Sequence, residues 1–352
     1  MEINKKIPVA VLGATGMVGQ RFVQLLSSHP WFQITALASS NRSAGKPYRQ
    51  ACRWLLEGDM PPTAADLLVQ EVDPHLDTRI VFSALPASIA REVEPRFASA
   101  GYIVCSNASA FRYDSDVPVI IPEVNHDHTI LLEIQRANRG WKGLIITSPN
   151  CTTTGIALPL KPLHDAFSIT RLFAVSMQAV SGAGYPGLSF LDIEDNVIPF
   201  IGGEEQKMET ETHLLLGKIK EHERIPARFP VSAHANRVSV KEGHTICLSI
   251  AFEKKPSIEA VISALENFKG IPATPALPSK PGQILVVRSQ EDRPQPRRDR
   301  AINHGMSVTI GRVRSCPILD IRMVTVSHNT LRGAASGSIL NAEMLVAKNL
   351  IG

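Results

Sequence analysis

Cys151 has neighbours that suit covalent chemistry, because it follows an asparagine and precedes three threonines. The apolar residues 143–147 before it predict a short buried strand, and the residues after it predict a helix that Pro159 and Pro162 kink or end early. A cysteine at such a turn lies near the first N–H groups of the helix, whose partial positive charge stabilises a thiolate. Cys151 is therefore either a nucleophile or a buried structural cysteine, and its polar neighbours are unusual for an apolar core position.

A glycine-rich turn at residues 13–19 follows a predicted buried strand at 7–12 and precedes an apolar-periodic helix. Glycines spaced three apart in this context are typical of a dinucleotide-binding turn. They permit a tight turn, close approach to a pyrophosphate at the helix N-terminus, and close packing of the helix on the strand. We expect cofactor binding rather than a plain loop. The predicted contacts are Gly13, Thr15, Gly16, Met17 and Val18.

The end of the second predicted strand, at residues 33–38, indicates which cofactor binds. An NAD-selective fold usually has Asp or Glu there to bind the ribose 2′-hydroxyl, whereas this chain has hydroxyl and basic side chains. Such side chains suit a 2′-phosphate, so we predict NADP, contacted by Ser40, Arg42 and Ser43. The alternative is a polar surface loop.

A dinucleotide-binding turn combined with an activated cysteine is the combination used to oxidise aldehydes through a thioester. That chemistry needs a base to manage protons and a cation to hold an anionic substrate. Arg237 and His244, seven positions apart, provide both. His126 and His128 invite a metal interpretation, but no further ligand pattern accompanies them, so we expect a surface loop and no metal site.

The order of strands and helices predicts an α/β protein with two domains. In residues 1–150, strands alternate with helices, which predicts an N-terminal Rossmann-like, doubly wound parallel sheet that binds NADP. The strand at 79–86 ends at the same crevice, so we expect Ser83 and Leu85 to border the cofactor. In residues 151–330, alternating strands predict an α+β catalytic domain with a mostly antiparallel sheet.

The composition fits a chain long enough for two full-sized cores, with 352 residues of which 44% are hydrophobic and 20% charged. Five widely separated cysteines do not suggest a disulfide framework, and no run is long and apolar enough to cross a membrane. The first residues also lack the apolar stretch of a signal peptide, so we expect a cytoplasmic protein. The basic cluster at 293–300 contains acidic residues and no aromatics, which favours a surface loop or subunit contact over nucleic-acid binding.

Several motifs occur in the order in which the aspartate-semialdehyde dehydrogenase family has them, and the resemblance is greatest to its archaeal and fungal-type branch. The resemblance covers essentially the whole chain. The motifs lie at residues 13–19, 148–154, 178–187, 202–207, 237–244 and 327–333.

The resemblance implies an NADP-dependent enzyme that reversibly converts L-aspartyl 4-phosphate to L-aspartate 4-semialdehyde and phosphate, in lysine, threonine and methionine biosynthesis. It implies that Cys151 forms the thioester, that His244 is the acid–base, and that Gln178 orients the intermediate. Arg237 would hold the substrate carboxylate and Glu204 its ammonium group. The remaining implied contacts are Asn150 with the substrate, Arg112 and Lys207 with phosphate, and Ser181, Gly182 and Asn329 with the nicotinamide half of NADP.

For Glu204 and Lys207 an alternative stays open, since residues three apart on a helix also form plain surface ion pairs. The resemblance further implies that the last helix, within residues 331–352, completes the first domain. It implies association through the sheet of the second domain as a homodimer or homotetramer. The expected partners are small-molecule substrates, with neither nucleic acid nor membrane.

Other functions of similar build remain alternatives. A malonyl-CoA reductase resembles the same branch and would use a CoA thioester in place of the acyl phosphate, whereas the pair of Arg112 and Lys207 favours phosphate. N-acetylglutamyl-phosphate reductase has a different cysteine neighbourhood, and glyceraldehyde-3-phosphate dehydrogenase lacks the segment at 178–187. A nicotinamide-sensing binding protein without turnover would have an unreactive Cys151.

Overall fold

Two β-sheets organise the chain in the computed structural model, which describes residues 5–270 and 277–351. The first residues, on which the expectation of no signal peptide partly rests, and residue 352 of the implied last helix lie outside these ranges. The strands of the first sheet all run parallel. They are β1 at Ile7–Leu12, β2 at Phe32–Ser39, β3 at Val69–Glu71, β4 at Ile80–Ser83, β5 at Ile103–Ser106 and β6 at Leu144–Thr147.

Their spatial order is β3-β2-β1-β4-β5-β6, which confirms the predicted Rossmann-like sheet. The order reverses between β1 and β4, and ligands bind beyond the carboxyl ends of the strands at such a point. The helices of this part of the chain are α1 at Met17–Leu26, α2 at Tyr48–Ala51, α3 at Pro62–Ala65, α4 at Ala87–Ser99, α5 at Pro122–Asn125 and α6 at Leu131–Arg139.

The second sheet is mixed and mostly antiparallel, as predicted, because β13 with β14 and β7 with β11 are its parallel pairs within the described residues. The remaining strands of the chain are β7 at Ile169–Ala179, β8 at Val197–Ile198, β9 at Lys218–Lys220, β10 at Glu223–Ile225, β11 at Val231–Val238, β12 at His244–Phe252, β13 at Leu285–Arg288, β14 at Val308–Ser315 and β15 at Ile321–Ser327. The order in the second sheet is β13-β14-β15-β12-β7-β11-β8, while β9 and β10 form a separate hairpin.

Helices cover one face of the second sheet and bury a core that includes Leu158, Leu172, Ile246 and Val261. The other face is left open and carries the exposed Phe173. The later helices are α7 at Cys151–Phe167, α8 at Phe190–Ile193, α9 at Glu204–Leu215, α10 at Ile258–Glu266, α11 at Pro296–Asp299 and α12 at Ser336–Ala347.

Helix α7 corrects one sequence expectation, because it continues through Pro159 and Pro162 instead of ending early. A proline inside a helix removes one N–H donor and leaves the carbonyl four residues earlier without its usual partner. For Pro159 that carbonyl belongs to Gly155, and the Thr325 hydroxyl donates a hydrogen bond to it at 3.4 Å. The prolines themselves are buried in the core, so packing offsets part of the lost helical bonding.

The last helix, α12, packs against the first sheet. Its residues Ile339, Leu340 and Leu345 share one apolar core with Val9 and Phe22 of the first sheet and α1. A turn of π-helix at Leu331–Ala335 precedes α12 and leads it out of β15. Since α7 starts directly after β6, Cys151 lies at the junction between the two sheets, close to this returning segment.

Within the described residues, no helix is long and apolar enough to cross a membrane. In the same part of the chain, no cluster of three or more potential metal ligands among His, Cys, Asp and Glu comes together. The surface-loop expectation is wrong for His128, which is fully buried and lies 3.2 Å from the Asn125 side-chain nitrogen. A short helix and a 3₁₀ turn fold this segment inward, and the sequence pattern did not indicate them.

Candidate active site

Asn150 and Cys151 begin α7 in the way the sequence predicts. Asn150 is the N-cap residue, and its side-chain oxygen accepts hydrogen bonds from the N–H groups of Thr152 at 2.9 Å and Thr153 at 3.2 Å. Cys151 is the first helical residue and is partly buried. The local sequence therefore positions the thiol at a helix N-terminus, where an asparagine side chain satisfies two of the free amide groups.

The Cys151 sulfur lies 3.2 Å from Nε2 of His244, the first residue of β12. His244 is fully buried, and its Nδ1 accepts a hydrogen bond from the main-chain N–H of Ala179 at 3.0 Å. The structure thus brings together the predicted nucleophile and the predicted acid–base residue, although 93 positions separate them in the chain.

Burial governs the protonation of both groups. It raises the pKa of the Cys151 thiol to about 12, although the Thr152 N–H and the nearby Arg112 and Arg237 favour the thiolate. Burial, assisted by the positive charge of Arg237, lowers the pKa of His244 to about 3. Desolvation of the buried sulfur therefore opposes the thiolate that the helix N-terminus favours.

Strands β7 and β11 end, and β12 begins, at the same edge of the second sheet, which places Gln178, Arg237 and His244 together. Arg237 of β11 lies opposite Gln178 of β7 in the parallel register. The Arg237 guanidinium is buried and donates a hydrogen bond to the Ala179 carbonyl at 2.7 Å. An arginine held in this way can offer its other N–H groups to a carboxylate.

Glu204, at the start of α9, connects the substrate residues that the resemblance implied. Its carboxylate accepts hydrogen bonds from Asn150 Nδ2 at 2.9 and 3.0 Å, from Gln178 Nε2 at 3.2 Å and from Lys207 Nζ at 2.8 Å. Burial alone would raise the pKa of Glu204, yet these donors hold it below its usual value. Glu204 and Lys207 do pair three residues apart, but Glu204 is buried among three partners and is not part of a plain surface pair.

Arg112 is also buried at this site. Its Nη1 donates to Glu211 Oε1 at 3.0 Å and its Nη2 to the Asn107 carbonyl at 2.8 Å. Its Nε is buried and has no hydrogen-bond partner within the described ranges. A buried guanidinium with a free donor can bind an anion, which fits the implied phosphate contact.

Glu211 is a site residue that the sequence interpretation missed. It is fully buried, and its second oxygen accepts a hydrogen bond from the Asn150 main-chain N–H at 2.5 Å. Glu204 and Glu211 are seven residues apart on α9, two helical turns, so they hold the side chain and the main chain of Asn150 respectively. That spacing is the signal that would have indicated Glu211, since positions i and i+7 share a helix face.

The glycine turn joins β1 to α1, as predicted. Gly16 is the N-cap of α1 and provides no side-chain hydrogen bond, so the first N–H groups, including those of Met17 and Val18, are not capped by a side chain. Thr15 Oγ1 is 2.8 Å from Ser39 Oγ at the end of β2, and Leu85 lies against Gly13. The uncapped N–H groups at the start of α1 are the donors that a dinucleotide-binding turn offers to a pyrophosphate.

The loop after β2 presents Ser40 and Arg42 to solvent, with Ser43 partly exposed. The main-chain carbonyl of Arg42 accepts a hydrogen bond from the Lys46 side chain at 2.9 Å, so the two basic residues lie together within this loop. Ser83 ends β4, and its side chain is fully buried next to the Glu94 carboxyl.

Ser181, Gly182 and Asn329 lie on the catalytic side of the crevice. Asn329 donates to Ser181 Oγ at 2.8 Å and accepts from the Gly243 N–H at 2.9 Å. Gly182 closes over the site, because a Cβ atom there would lie 2.7 Å from Nη1 of Arg237. A cavity of about 200 Å³ lies between this loop and α1, lined in part by Met17 and Ser181.

Two family models match the chain. The semialdehyde dehydrogenase NAD binding domain matches residues 8–131, and the semialdehyde dehydrogenase dimerisation domain matches residues 160–332. An aspartate-semialdehyde dehydrogenase of Methanothermobacter thermautotrophicus is 51% identical over 96% of this chain and 99% of the relative. A malonyl CoA reductase (NADP) of Metallosphaera sedula is 39% identical over 99% of both chains.

A solved structure has the same fold over the whole chain. It is the aspartate semialdehyde dehydrogenase of Candida albicans with NADP, which superposes with a TM-score of 0.91 at 42% sequence identity. The comparison covers 99% of this chain and 100% of that one. The similarity therefore extends over both sheets and the returning C-terminal helix.

Proposed function

This chain belongs to the aspartate-semialdehyde dehydrogenase family, and we propose that it reversibly converts L-aspartyl 4-phosphate to L-aspartate 4-semialdehyde and phosphate with NADP as its cofactor. This is a reaction of amino-acid biosynthesis, in the formation of lysine, threonine and methionine. The observation that carries the proposal is the 3.2 Å contact between Cys151 Sγ and His244 Nε2. Around this contact Glu204 is held by Asn150 and Gln178, and Arg237 adjoins it.

In the oxidative direction, the Cys151 sulfur adds to the aldehyde carbon and the carbonyl electron pair moves to the oxygen. Bound NADP would supply the acceptor for the hydride whose loss converts this adduct to a thioester. His244 contacts the sulfur, and the adduct oxygen is two bonds from that sulfur, so His244 is the group that serves both atoms with its ring N–H or lone pair. Phosphate then attacks the thioester carbon and releases the thiolate of Cys151.

The buried polar residues around the Cys151 sulfur bind the substrate. Arg237 binds the α-carboxylate with two parallel hydrogen bonds, a geometry that a guanidinium offers and an ammonium does not. Glu204, held ionised by Lys207 and its amide donors, binds the substrate ammonium. Gln178 and Asn150 share Glu204 as a partner and therefore orient the bound carbon chain relative to Cys151.

Arg112 and Lys207 bind phosphate and the acyl phosphate. The free buried Nε of Arg112 and the partly exposed ammonium of Lys207 supply the positive charge that these anions require. This charge favours the acyl-phosphate reaction over the CoA-thioester reaction of a malonyl-CoA reductase. Both residues connect through Glu211 and Glu204 to Asn150, next to the nucleophile.

The residues of the cofactor site match the pyrophosphate, the 2′-phosphate and the nicotinamide end of NADP. The first turn of α1 has no side-chain cap and can receive the pyrophosphate at its N–H groups. Ser40, Arg42 and Ser43 follow β2 and receive the 2′-phosphate. The loop with Ser181 and Gly182, together with Asn329, borders the nicotinamide end, and Leu85 lies across the glycine turn.

We assign residues 1–150 and 331–352 to the NADP-binding domain and residues 151–330 to the catalytic and dimerisation domain. The shared core of α12 and the first sheet supports this division. All five cysteines are unpaired, which fits a reducing, cytoplasmic setting.

We assign dimerisation to the open face of the second sheet. Strand alternation places Phe173 and three basic residues, Arg171, Arg314 and Arg322, on that face. Residues 188–200 are mostly exposed, rich in large apolar side chains, and contain three acidic residues, so they complement the basic face of a second copy. Light scattering on Phe173→Asp should give a smaller assembly than wild type, whereas Ile89→Asp, on the exposed surface of α4, should not. An unchanged mass for Phe173→Asp would contradict this interface.

The function is tested by following NADPH formation from L-aspartate 4-semialdehyde by the purified protein. The rate should depend on phosphate and should disappear in Cys151→Ser, while NADP binding survives. A parallel assay supplies malonate semialdehyde and CoA without phosphate. Turnover in that second assay alone would replace the proposed substrate with a CoA thioester.

A further inference from the structure

The hydrogen bonds of the His244 ring identify which nitrogen carries its proton. The Ala179 main-chain N–H points at Nδ1 from 3.0 Å, and an N–H can be accepted only by a ring nitrogen without a proton. A neutral imidazole that accepts at Nδ1 has its proton on Nε2. Since Nε2 lies 3.2 Å from Cys151 Sγ, this N–H points at the reacting sulfur.

The surroundings of the ring oppose a second proton. A proton on Nδ1 would face the Ala179 N–H, donor against donor, and the ring is fully buried. Among the charged groups around His244, Arg237 and His328 oppose its protonation and Glu204 favours it. Burial is the largest of these effects, and it also disfavours the charged ring.

The position of the Ala179 amide is itself fixed. Ala179 is the last residue of β7 and is fully buried. Its N–H donates to His244, and its carbonyl accepts the hydrogen bond from Arg237 at 2.7 Å. One residue therefore orients both the ring that contacts the nucleophile and the guanidinium that binds the substrate carboxylate.

This arrangement is the reverse of a Ser-His-Asp triad. In such a triad a carboxylate accepts the Nδ1–H of the histidine, which leaves Nε2 bare to take a proton from the nucleophile. Here a donor occupies the Nδ1 side, so Nε2 already carries a proton and has no lone pair to offer to the thiol.

On the basis of the proposed aldehyde oxidation, we propose that the Ala179 main-chain N–H fixes His244 as the Nε2–H tautomer. His244 then acts as a hydrogen-bond donor to the reacting sulfur and carbonyl oxygen and not as the base that removes the thiol proton. Ala179 is thereby a positioning residue that acts through its main chain.

The aldehyde oxidation needs no proton on Nδ1 of His244. The thiol proton passes to water before the attack, and the sulfur lone pair forms the C–S bond. The carbonyl π electrons move to oxygen, and the His244 Nε2–H donates to that oxyanion. The carbon then loses hydride, for which bound NADP would be the acceptor, and the C=O bond re-forms as the thioester. His244 returns to its first hydrogen bond with no net change in protonation.

The first test is nitrogen NMR on the protein labelled with ¹⁵N-histidine, free of substrate, with the His244 signals assigned by their loss in His244→Gln. The proposal expects a protonated Nε2 and an unprotonated Nδ1 at pH 7, unchanged down to pH 5.5. His164 is a reference, because its Nδ1 accepts the Ile169 N–H at 3.2 Å away from the site. A protonated Nδ1, or two protonated nitrogens at pH 7, would overturn the proposal.

The second test compares two substitutions of His244, of which only one keeps an N–H donor. A glutamine at 244 can place an N–H donor near the Nε2 position but cannot act as a base at neutral pH, whereas alanine offers no donor. Loss of one such donor costs about 10²–10³-fold in kcat. We expect His244→Gln to have a kcat at least about tenfold above His244→Ala, and His164→Gln to match wild type.

Equal kcat values for His244→Gln and His244→Ala, both with wild-type melting temperatures and NADP binding, would overturn the donor role. The NMR experiment requires no substrate, so it decides the tautomer independently of activity. If the wild-type protein forms no NADPH from the semialdehyde and phosphate, the proposed function is wrong. The nitrogen signals still decide which tautomer His244 adopts.

Discussion

Gly333 and Cys151 approach each other at a distance that only glycine permits. A Cβ atom on Gly333 would lie 2.5 Å from Cβ of Cys151 and 2.8 Å from its Cα. The backbone at Gly333 is held in place, because its neighbour Arg332 donates two hydrogen bonds to the buried Glu123 carboxylate, at 2.8 and 2.7 Å. The returning C-terminal segment therefore fixes the backbone of the nucleophile.

We expect Gly333→Ala to displace Cys151 and lower kcat by roughly 10²-fold, the order of loss that follows a 1 Å misplacement of reacting groups. NADP affinity should change much less, because Gly333 contacts the nucleophile and not the glycine turn. Gly282→Ala is the control, since no atom lies within 4 Å of the added Cβ. A Gly333→Ala enzyme with wild-type kcat would show that the contact does not position Cys151.

Arg42 should read the 2′-phosphate of the cofactor. Arg42→Ala should weaken NADP binding by about tenfold, the value of one charge-assisted hydrogen bond, and leave NAD binding nearly unchanged. The measurement is the dissociation constant of each cofactor. The control is Arg49→Ala, which removes an exposed arginine paired with Asp66. Equal losses for NADP and NAD would show that the loop after β2 does not select the cofactor.

Glu211 should be needed for stability. A glutamine there cannot accept hydrogen bonds from both Arg112 and the Asn150 N–H, and it leaves the Arg112 charge buried without a counter-ion. Breaking a buried pair in this way costs roughly 3–5 kcal/mol, which urea unfolding measures. Glu209→Gln on the same helix keeps an acceptor for the Ala233 N–H, so it should cost less than about 1 kcal/mol. Similar losses in the two variants would contradict this role.

The reactivity of Cys151 should rise steeply with pH. Burial raises the pKa of this thiol, so the thiolate is the minor form near neutral pH and grows as pH increases. Because the pKa of His244 is lowered, no ionisation of that ring should appear between pH 5 and 8. The rate of iodoacetamide labelling at Cys151, corrected with Cys151→Ser, should increase about tenfold per pH unit from pH 7 to 10. A plateau near pH 7 would indicate a preformed thiolate–imidazolium pair instead.

Local patterns were sufficient to predict the strand–turn–helix units that begin at Gly13 and Cys151. The glycines and the N-cap Asn150 act within a few residues of their position, so their neighbours reveal them. Helix α7 continues through Pro159, where Thr325, 170 positions away from Gly155, donates a hydrogen bond to the Gly155 carbonyl. No local pattern contains such a contact.

The parts of the site that the sequence did not reveal depend on tertiary structure. Every residue except proline has a main-chain N–H, so nothing in the residue type of Ala179 indicates that its amide faces His244. The spacing of Glu211 from Glu204 indicates a shared face of α9, but only the fold shows that Glu211 is buried against Asn150. His128 is polar in sequence and fully buried in the structure.

The central claim is that Cys151 carries the acyl group between oxidation and phosphate transfer. The most direct measurement mixes the protein with L-aspartate 4-semialdehyde and NADP in the absence of phosphate, then follows NADPH and the intact mass. The account predicts a rapid burst approaching one NADPH per active site, an acyl mass increment on the peptide with Cys151, and its loss when phosphate is added. No burst and no adduct before phosphate addition would contradict the thioester route.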